Sequence, residues 1–184
     1  MNIAELIIEA KRGSTAAEKC LFDLFARKML MVCRRYVKNP EDAEERMLDG
    51  FHNFFKSIGT FTYQHDAALM AWLKKIMINQ CLMFLRKKNV FTIVTESAAE
   101  NISLDEDMLD RISATEIFQL IVQLPVGYRT VFNLYSIEGM PHAEIASLLN
   151  ISEGTSKSQL SKAKALLQKM ILNKEQGYAR QQQQ

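Results

Sequence analysis

The chain has 184 residues, 48% of them hydrophobic and 24% charged, with a formal net charge of +2. That length allows one domain or two small ones with ample core, but so small a net charge cannot argue for nucleic acid; any such surface must be read from where the charges lie. The three cysteines (Cys20, Cys33 and Cys81) are odd in number, show no CxxC spacing and each lie in an apolar helical context, which reads as buried free thiols in a reducing cytoplasm.

Taken in order, the first helix spans Ile3 to Lys11, with Ile3, Leu6, Ile7 and Ala10 on one stripe and Gly13 closing it. The stretch lacks a basic start followed by a long apolar run, so no signal peptide is expected. Thr15, with Glu18 three residues on, has capping-box spacing. The second helix then runs to about Val37 and points Leu21, Leu24, Phe25, Val32 and Tyr36 inward. Asn39 and Pro40 are a helix cap and a first helical residue, and Glu41, Asp42, Glu44 and Glu45 crowd the turns where the helix dipole favours acids. This third helix continues through Phe51, Phe54, Phe55 and Ile58 to Gly59.

A polar loop with two aromatics, Thr60 to Asp66, leads into a fourth helix from about Ala67 to Lys88. Leu69, Trp72, Leu73, Ile76 and Met83 form its apolar stripe. No apolar run is read as long enough to span a membrane. Between Asp66 and Glu96 there is no acid, while Lys74, Lys75, Arg86, Lys87 and Lys88 are basic. Helix-end bases complement the dipole, which accounts for the last three but not for Lys74 and Lys75. An acid-free basic helix beside an aromatic loop suits a nucleic-acid surface on which bases stack. Asn89 to Asp110 then holds six acids and no base, with poor periodicity, and reads as a linker.

The second half is helical again. Ile117, Leu120, Ile121 and Leu124 share a face from Ala114 to Leu124, and Pro125-Val126-Gly127 breaks it. Arg129 to Ile137 forms the next helix, with Val131, Phe132, Leu134 and Tyr135 as core. From Pro141 to Leu167 the pattern is helix, tight turn, helix: Ile145, Leu148 and Leu149 on one face, Asn150 where a left-handed residue is needed, and Ser152 as a cap. Leu160, Ala163 and Leu167 point inward, whereas Thr155, Lys157, Ser158, Gln159, Ser161, Lys162 and Lys164 mostly point outward. From Gly154 to Leu172 there are four lysines and no acid. A cationic outer face on the second helix of such a pair is what a major-groove reader needs; the alternative is an amphipathic hairpin with a solvated lysine face. The end, GYARQQQQ, is polar and low in complexity.

These observations give an all-α chain: two small helical domains (1–88 and 113–173), an acidic linker (89–112) and a disordered tail (174–184). The second domain is a helix-turn-helix. His52, His65 and His142 lie far apart and none has metal-ligand spacing to a Cys; no P-loop, HExxH, GxSxG or dinucleotide fingerprint occurs. No metal, cofactor or catalytic residue is therefore expected, and the chain does not read as an enzyme.

The residues also carry a family resemblance. LPVGYRTVFNLYSIEGMPHAEIASLLNISEGTSKSQLSKAKALL, Leu124 to Leu167, resembles the −35-binding fourth region of extracytoplasmic-function sigma factors. DAEERMLDGF, Asp42 to Phe51, resembles the second-region helix that grips core RNA polymerase, and AWLKKIMINQCLMFLRKKN, Ala71 to Asn89, the helix used on the −10 element. The chain departs from the pattern at Leu48, where the family usually has Gln, near Met83, where Asp or Asn is usual, and at Pro141, which replaces a Ser cap.

The resemblance implies a sigma factor that directs core polymerase to promoters. Asp42, Glu45, Leu48 and Asp49 would face the polymerase clamp, and the second domain would meet the flap. Phe61, with Tyr63 as the alternative loop aromatic, and Lys74, Lys75 and Asn79 would engage the melted −10 strand. Thr155, Lys157, Ser158, Ser161 and Lys162 would enter the −35 groove, with Arg129 and Lys164 on phosphate. An anti-sigma factor would be a further partner, in the cytoplasm and without membrane insertion. The rival readings are an autonomous dimeric regulator that binds operators without polymerase, and a helical interaction protein with no DNA role.

Overall fold

A computed structural model of the chain describes residues 2–87 and 113–181, with side chains to residue 174. The expected acidic linker therefore lies outside the described residues. The chain divides into two compact units, Met1–Asn89 and Val90–Gln184. Each is described by itself.

In the first unit, α1 spans Ile3–Lys11, α2 Thr15–Tyr36, α3 Pro40–Ser57 and α4 Asp66–Lys87, with a short 3₁₀ turn at Ile58–Thr60. Local chemistry sets each start. The Asn2 side chain accepts from the Glu5 N–H at 2.9 Å, and the Glu5 carboxylate accepts from the Asn2 N–H at 3.0 Å. Helix α2 is capped by Ser14 (Ala17 N–H to Ser14 Oγ, 3.3 Å), not by Thr15. The reason is Gly13: at φ +83 it turns the chain sharply and leaves Ser14 extended in the cap position. Asn39 caps α3 as expected, accepting from the Asp42 N–H at 2.7 Å, with Pro40 behind it. His65 caps α4 through Nδ1, 3.1 Å from the Ala68 N–H.

Helices α2, α3 and α4 pack pairwise against one another and α1 lies on α2. Leu21, Met29, Cys33, Tyr36, Phe54, Leu69, Leu73, Met77 and Leu82 fill the core. A Cβ at Gly50 would overlap the Met77 thioether, so glycine lets α4 close on α3. The Cys81 thiol donates to the Cys33 carbonyl at 4.0 Å. Its partner Cys33 and its burial push its pKa up, so it stays protonated.

Several expectations change here. Leu24 is 53% exposed, because the buried stripe is Leu21, Phe25, Met29, Val32 and Tyr36, and Leu24 stands about 100° round the helix from Phe25. Met83 is 57% exposed, in line with Asn79 on the outer side of α4. Cys20 is exposed rather than buried. By length and composition α4 is long and apolar enough to cross a membrane, contrary to the reading of the sequence. One face of it, Leu69, Leu73, Met77, Ile78, Cys81, Leu82 and Leu85, is buried in the unit, which is how a core helix meets the same criterion.

In the second unit, α5 spans Ala114–Gln123, α6 Val126–Phe132, α7 His142–Leu149 and α8 Glu153–Gln181. Ser113 and Glu116 form a capping box on α5. Helix α6 starts directly behind Pro125, earlier than expected, and passes into a π turn at Asn133–Ile137, where the Glu138 N–H reaches the Asn133 carbonyl at 3.0 Å. The wider turn changes the angle at which its own side chains project, so Tyr135, expected in the core, is 39% exposed. Leu120, Ile121, Leu124, Val131, Leu134, Ile145, Leu149, Leu160, Ala163, Leu167 and Ile171 make the core.

Helix α8 does not stop at residue 173 but continues through Gln181. Lys174, on this extension, pairs with Glu116 of α5 at 2.7 Å. Lys174 and the Ser113 cap hold the Glu116 carboxyl down to about 2. A depressed carboxylate contributes stability above its unfolded pKa and loses it as pH falls through the folded value. Glu116→Gln, which keeps the cap's geometry, should lower the melting temperature at pH 7 by a few degrees or less. Calorimetry should show that gap closing between about pH 4.5 and 2; a gap constant across that range would contradict the assignment.

Candidate nucleic-acid interface

The helix-turn-helix is built as its residues require. Asn150 has φ 55 and ψ 49, the left-handed conformation the turn demands. The Ser152 hydroxyl accepts from the Thr155 N–H at 3.0 Å and lies 2.9 Å from Thr155 Oγ1. Thr155 is thus part of the cap that starts α8. Ile145, Ala146 and Leu149 of α7 are buried, as are Leu160 and Ala163 of α8. That leaves Ser158 and Lys157 exposed and Ser161, Lys162 and Lys164 half-buried at the rim. Lys157 lies 3.6 Å from Glu153, one turn back. Such an exposed pair is weak and opens when a phosphate or base competes.

Arg129, expected on phosphate, is corrected by the structure. It is only 2% exposed. Its Nη1 donates to the Val122 carbonyl at 2.8 Å and to the Leu124 carbonyl at 3.1 Å, carbonyls left over at the end of α5. Burial lowers its pKa to about 10, so it remains charged. The guanidinium closes a helix end; it does not face DNA.

In the first unit the loop after the 3₁₀ turn is ordered by its own aromatics. Phe61 stacks on Trp72 with ring centroids 4.5 Å apart and planes 5° apart, and Trp72 leans on Phe54 at 5.2 Å. The Tyr63 hydroxyl donates to Asp66 Oδ1 at 2.5 Å, which raises the phenol's pKa. Helical spacing puts Lys75 and Asn79 on the same side of α4 as Trp72, and both are exposed. Lys74 stands about 100° round the helix from Lys75 and is half-buried. The structure therefore brings Phe61, Lys75 and Asn79 to one side of α4, with Trp72 as a platform that the sequence pattern had placed only in the core.

The acidic side of α3 also has an organiser that the sequence pattern did not reveal. Arg46 pairs with Glu45 at 2.5 Å and with Asp49 at 3.1 Å, and its guanidinium lies 4.9 Å above the Phe84 ring of α4. Beside the two carboxylates Leu48 is 49% exposed. The signal was present: Arg46 is the first base after four acids in five residues. What it packs against was not.

Residues 21–90 match the family Sigma-70 region 2, and residues 114–167 match Sigma-70, region 4. The two stretches are separate, in this order, and together span most of the chain.

The chain belongs to the sigma-70 family, in its extracytoplasmic-function (ECF) group.

Among its relatives, the ECF RNA polymerase sigma factor SigM of Mycobacterium tuberculosis is 27% identical over 91% of this chain and 84% of its own length. The ECF RNA polymerase sigma factor SigW of Bacillus subtilis is 25% identical over 93% of this chain and 97% of its own. The RNA polymerase sigma-H factor of Pseudomonas aeruginosa is 26% identical, over 91% and 92%. A solved structure of CnrH in complex with the cytosolic domain of CnrY aligns over 90% of this chain and 94% of that one, at 19% identity and a TM-score of 0.47.

In this sigma factor, α3, α4 and most of α2 lie within region 2, and α5 to α7 with the first half of α8 lie within region 4. Arg129 thus sits inside the DNA-binding region yet serves its interior. Arg129→Ala strands two carbonyls at the end of α5 and should destabilise the second unit by roughly 2–4 kcal/mol. The salt dependence of promoter binding at a temperature where the variant is folded should not change, because no phosphate contact is lost. A slope lower by about one charge would return Arg129 to the DNA surface.

Proposed function

We propose that this sigma factor docks on the clamp of core RNA polymerase through Asp42, Glu45, Leu48 and Asp49 of α3, and directs the assembly to promoters that it reads at −35 and melts at −10. The observation that carries this reading is the pairing of a region 2 match and a region 4 match in one chain. A regulator acting alone has no use for the first of these, so the autonomous reading is not favoured. The protein works where polymerase and DNA are, inside the cell, and supplies no chemistry of its own; nucleotide addition belongs to polymerase.

At the −10 element, a base displaced from the duplex needs a flat surface and nearby donors. Phe61 on Trp72, with Lys75 and Asn79 along the same helix side, supports such a site. Tyr63 is better suited to positioning the loop, since Asp66 occupies its hydroxyl. Lys74 is the weakest of the five on geometry. At the −35 element the first turns of α8 meet base edges, and the second unit rests on the polymerase flap. The acids of residues 89–112 suit a cationic channel of polymerase. An anti-sigma factor that masks these surfaces is a further partner, on the strength of the family resemblance.

A gel shift with and without core polymerase separates this from the alternatives: a promoter-specific complex should require both. Within that complex the two lysines should fail differently. Lys157 stands at the exposed start of α8, within reach of a base edge; Lys162 is farther along, at the rim. Lys157→Ala should cost roughly 1–3 kcal/mol at one base pair of the −35 element and relax preference there. Lys162→Ala should weaken all −35 variants about evenly and reduce the salt slope by roughly one charge. If both variants lose affinity uniformly, base reading rests on Thr155, Ser158 and Ser161 instead.

A further inference from the structure

One titratable side chain of the helix-turn-helix has no part in the proposed base and phosphate contacts. His142 is the first residue of α7, and it touches two other elements. Its Nδ1 lies 2.8 Å from the hydroxyl of Ser156, a serine with no exposed surface in the first turn of α8. Its ring is stacked on Tyr135, at 4.4 Å between centroids and 18° between planes. The π turn makes that stack possible, because it swings Tyr135 out of the core. The imidazole is therefore fixed in position and orientation by three separate segments. Nδ1 is committed to Ser156, and Nε2 makes no hydrogen bond among the described residues. Next to Ser156 stands Lys157, and Lys164 is two turns farther on the same flank of α8.

In a docked helix-turn-helix the first helix crosses the DNA backbone while the start of the second enters the groove. A group at the first residue of α7, hydrogen-bonded to the first turn of α8, stands where those two placements meet. We propose that His142 contacts a backbone phosphate of the −35 site through Nε2 and takes up a proton as the helix-turn-helix closes on DNA. The inference rests on the DNA-reading role proposed for α8.

The charges around the ring set the sign. Burial, Lys157 and Lys164 lower the His142 pKa, and Glu153 opposes them. Among the described residues of α7, α8 and the π turn, these three are the charged groups that act on the ring. Free of DNA, His142 is thus neutral near pH 7. A phosphate against Nε2 favours the imidazolium and raises that pKa. The bound state then holds more protons than the free one, so affinity rises as pH falls through the window between the two values. Because Nδ1 faces a hydroxyl, which can accept as well as donate, protonation does not break the Ser156 contact.

The test uses holoenzyme assembled from core polymerase and the full chain, on a promoter fragment that the wild type selects. Affinity is measured at pH 6 and pH 8 at two salt concentrations, for wild type, His142→Gln, His142→Phe and Ser156→Ala. Wild type should bind about three- to tenfold more tightly at pH 6 than at pH 8, beyond any dependence shown by His142→Gln, with a salt slope steeper by about one charge. His142→Phe keeps the stack on Tyr135 and should bind with the pH dependence gone. Ser156→Ala should keep the dependence but shift its midpoint. The proposal is overturned if the His142 variants retain the wild-type pH ratio. It is equally overturned if both lose DNA at every pH while Ser156→Ala leaves the midpoint in place, since His142 is then only packing. A wild-type holoenzyme indifferent to −35 substitutions at both pH values would instead contradict the DNA-reading role itself.

Discussion

The second unit depends on one joint, the left-handed residue at Asn150 and the cap just beyond it. Asn150 reverses the chain between α7 and α8, and Ser152 then satisfies the first free N–H groups of α8. Those two local choices fix the angle at which Ile145 and Leu149 meet Leu160 and Ala163. Once that packing is set, the outer side of α8 has one direction, and Lys157, Ser158 and Ser161 share it, with only the weak Glu153 pair beside Lys157. The surface proposed to read the groove is a by-product of a turn, a cap and four apolar side chains. Arg129 and the Glu116–Lys174 pair then tie α5 and the far half of α8 to the same core.

The first unit solves a different problem. The surface proposed to meet polymerase carries acids and an apolar residue together on α3, and the acids repel one another. Arg46 offsets this by pairing with Glu45 and Asp49 while stacking on Phe84. The carboxylates gain a fixed geometry, and Leu48 is exposed beside them. Elsewhere on the same helices, Trp72 connects the buried Phe54 to the half-buried Phe61, so a core aromatic becomes a surface platform. In both cases a buried or half-buried side chain sets the shape of a surface one.

Much of this was legible in the sequence where the governing physics is local. Helix periods, the Asn39-Pro40 start, the Asn150 turn and the Ser152 cap involve neighbours within four residues, and the structure has them as read. Burial at the edge of a stripe was not legible. Leu24 and Met83 have the composition of core but the wrong angle, and Tyr135 moves only because a π turn widens the helix around it. Arg129 misled for the same reason: a basic residue in a DNA-binding region reads as phosphate-facing until the carbonyls it caps are located in space. Arg46 on Phe84 and His142 on Ser156 join residues far apart along the chain, and no spacing rule announces such pairs.

The central claim is that this chain confers promoter choice on a polymerase it does not itself power. Transcription with purified core polymerase on a pool of genomic promoter fragments, with transcript starts mapped in the presence and absence of the chain, tests it most directly. The account predicts discrete starts at a shared pair of upstream elements, absent without the chain and lost on disrupting either Leu48 of α3 or the Lys157 turn of α8. Promoter-specific binding by the chain alone, with no defined starts when core is added, would contradict it.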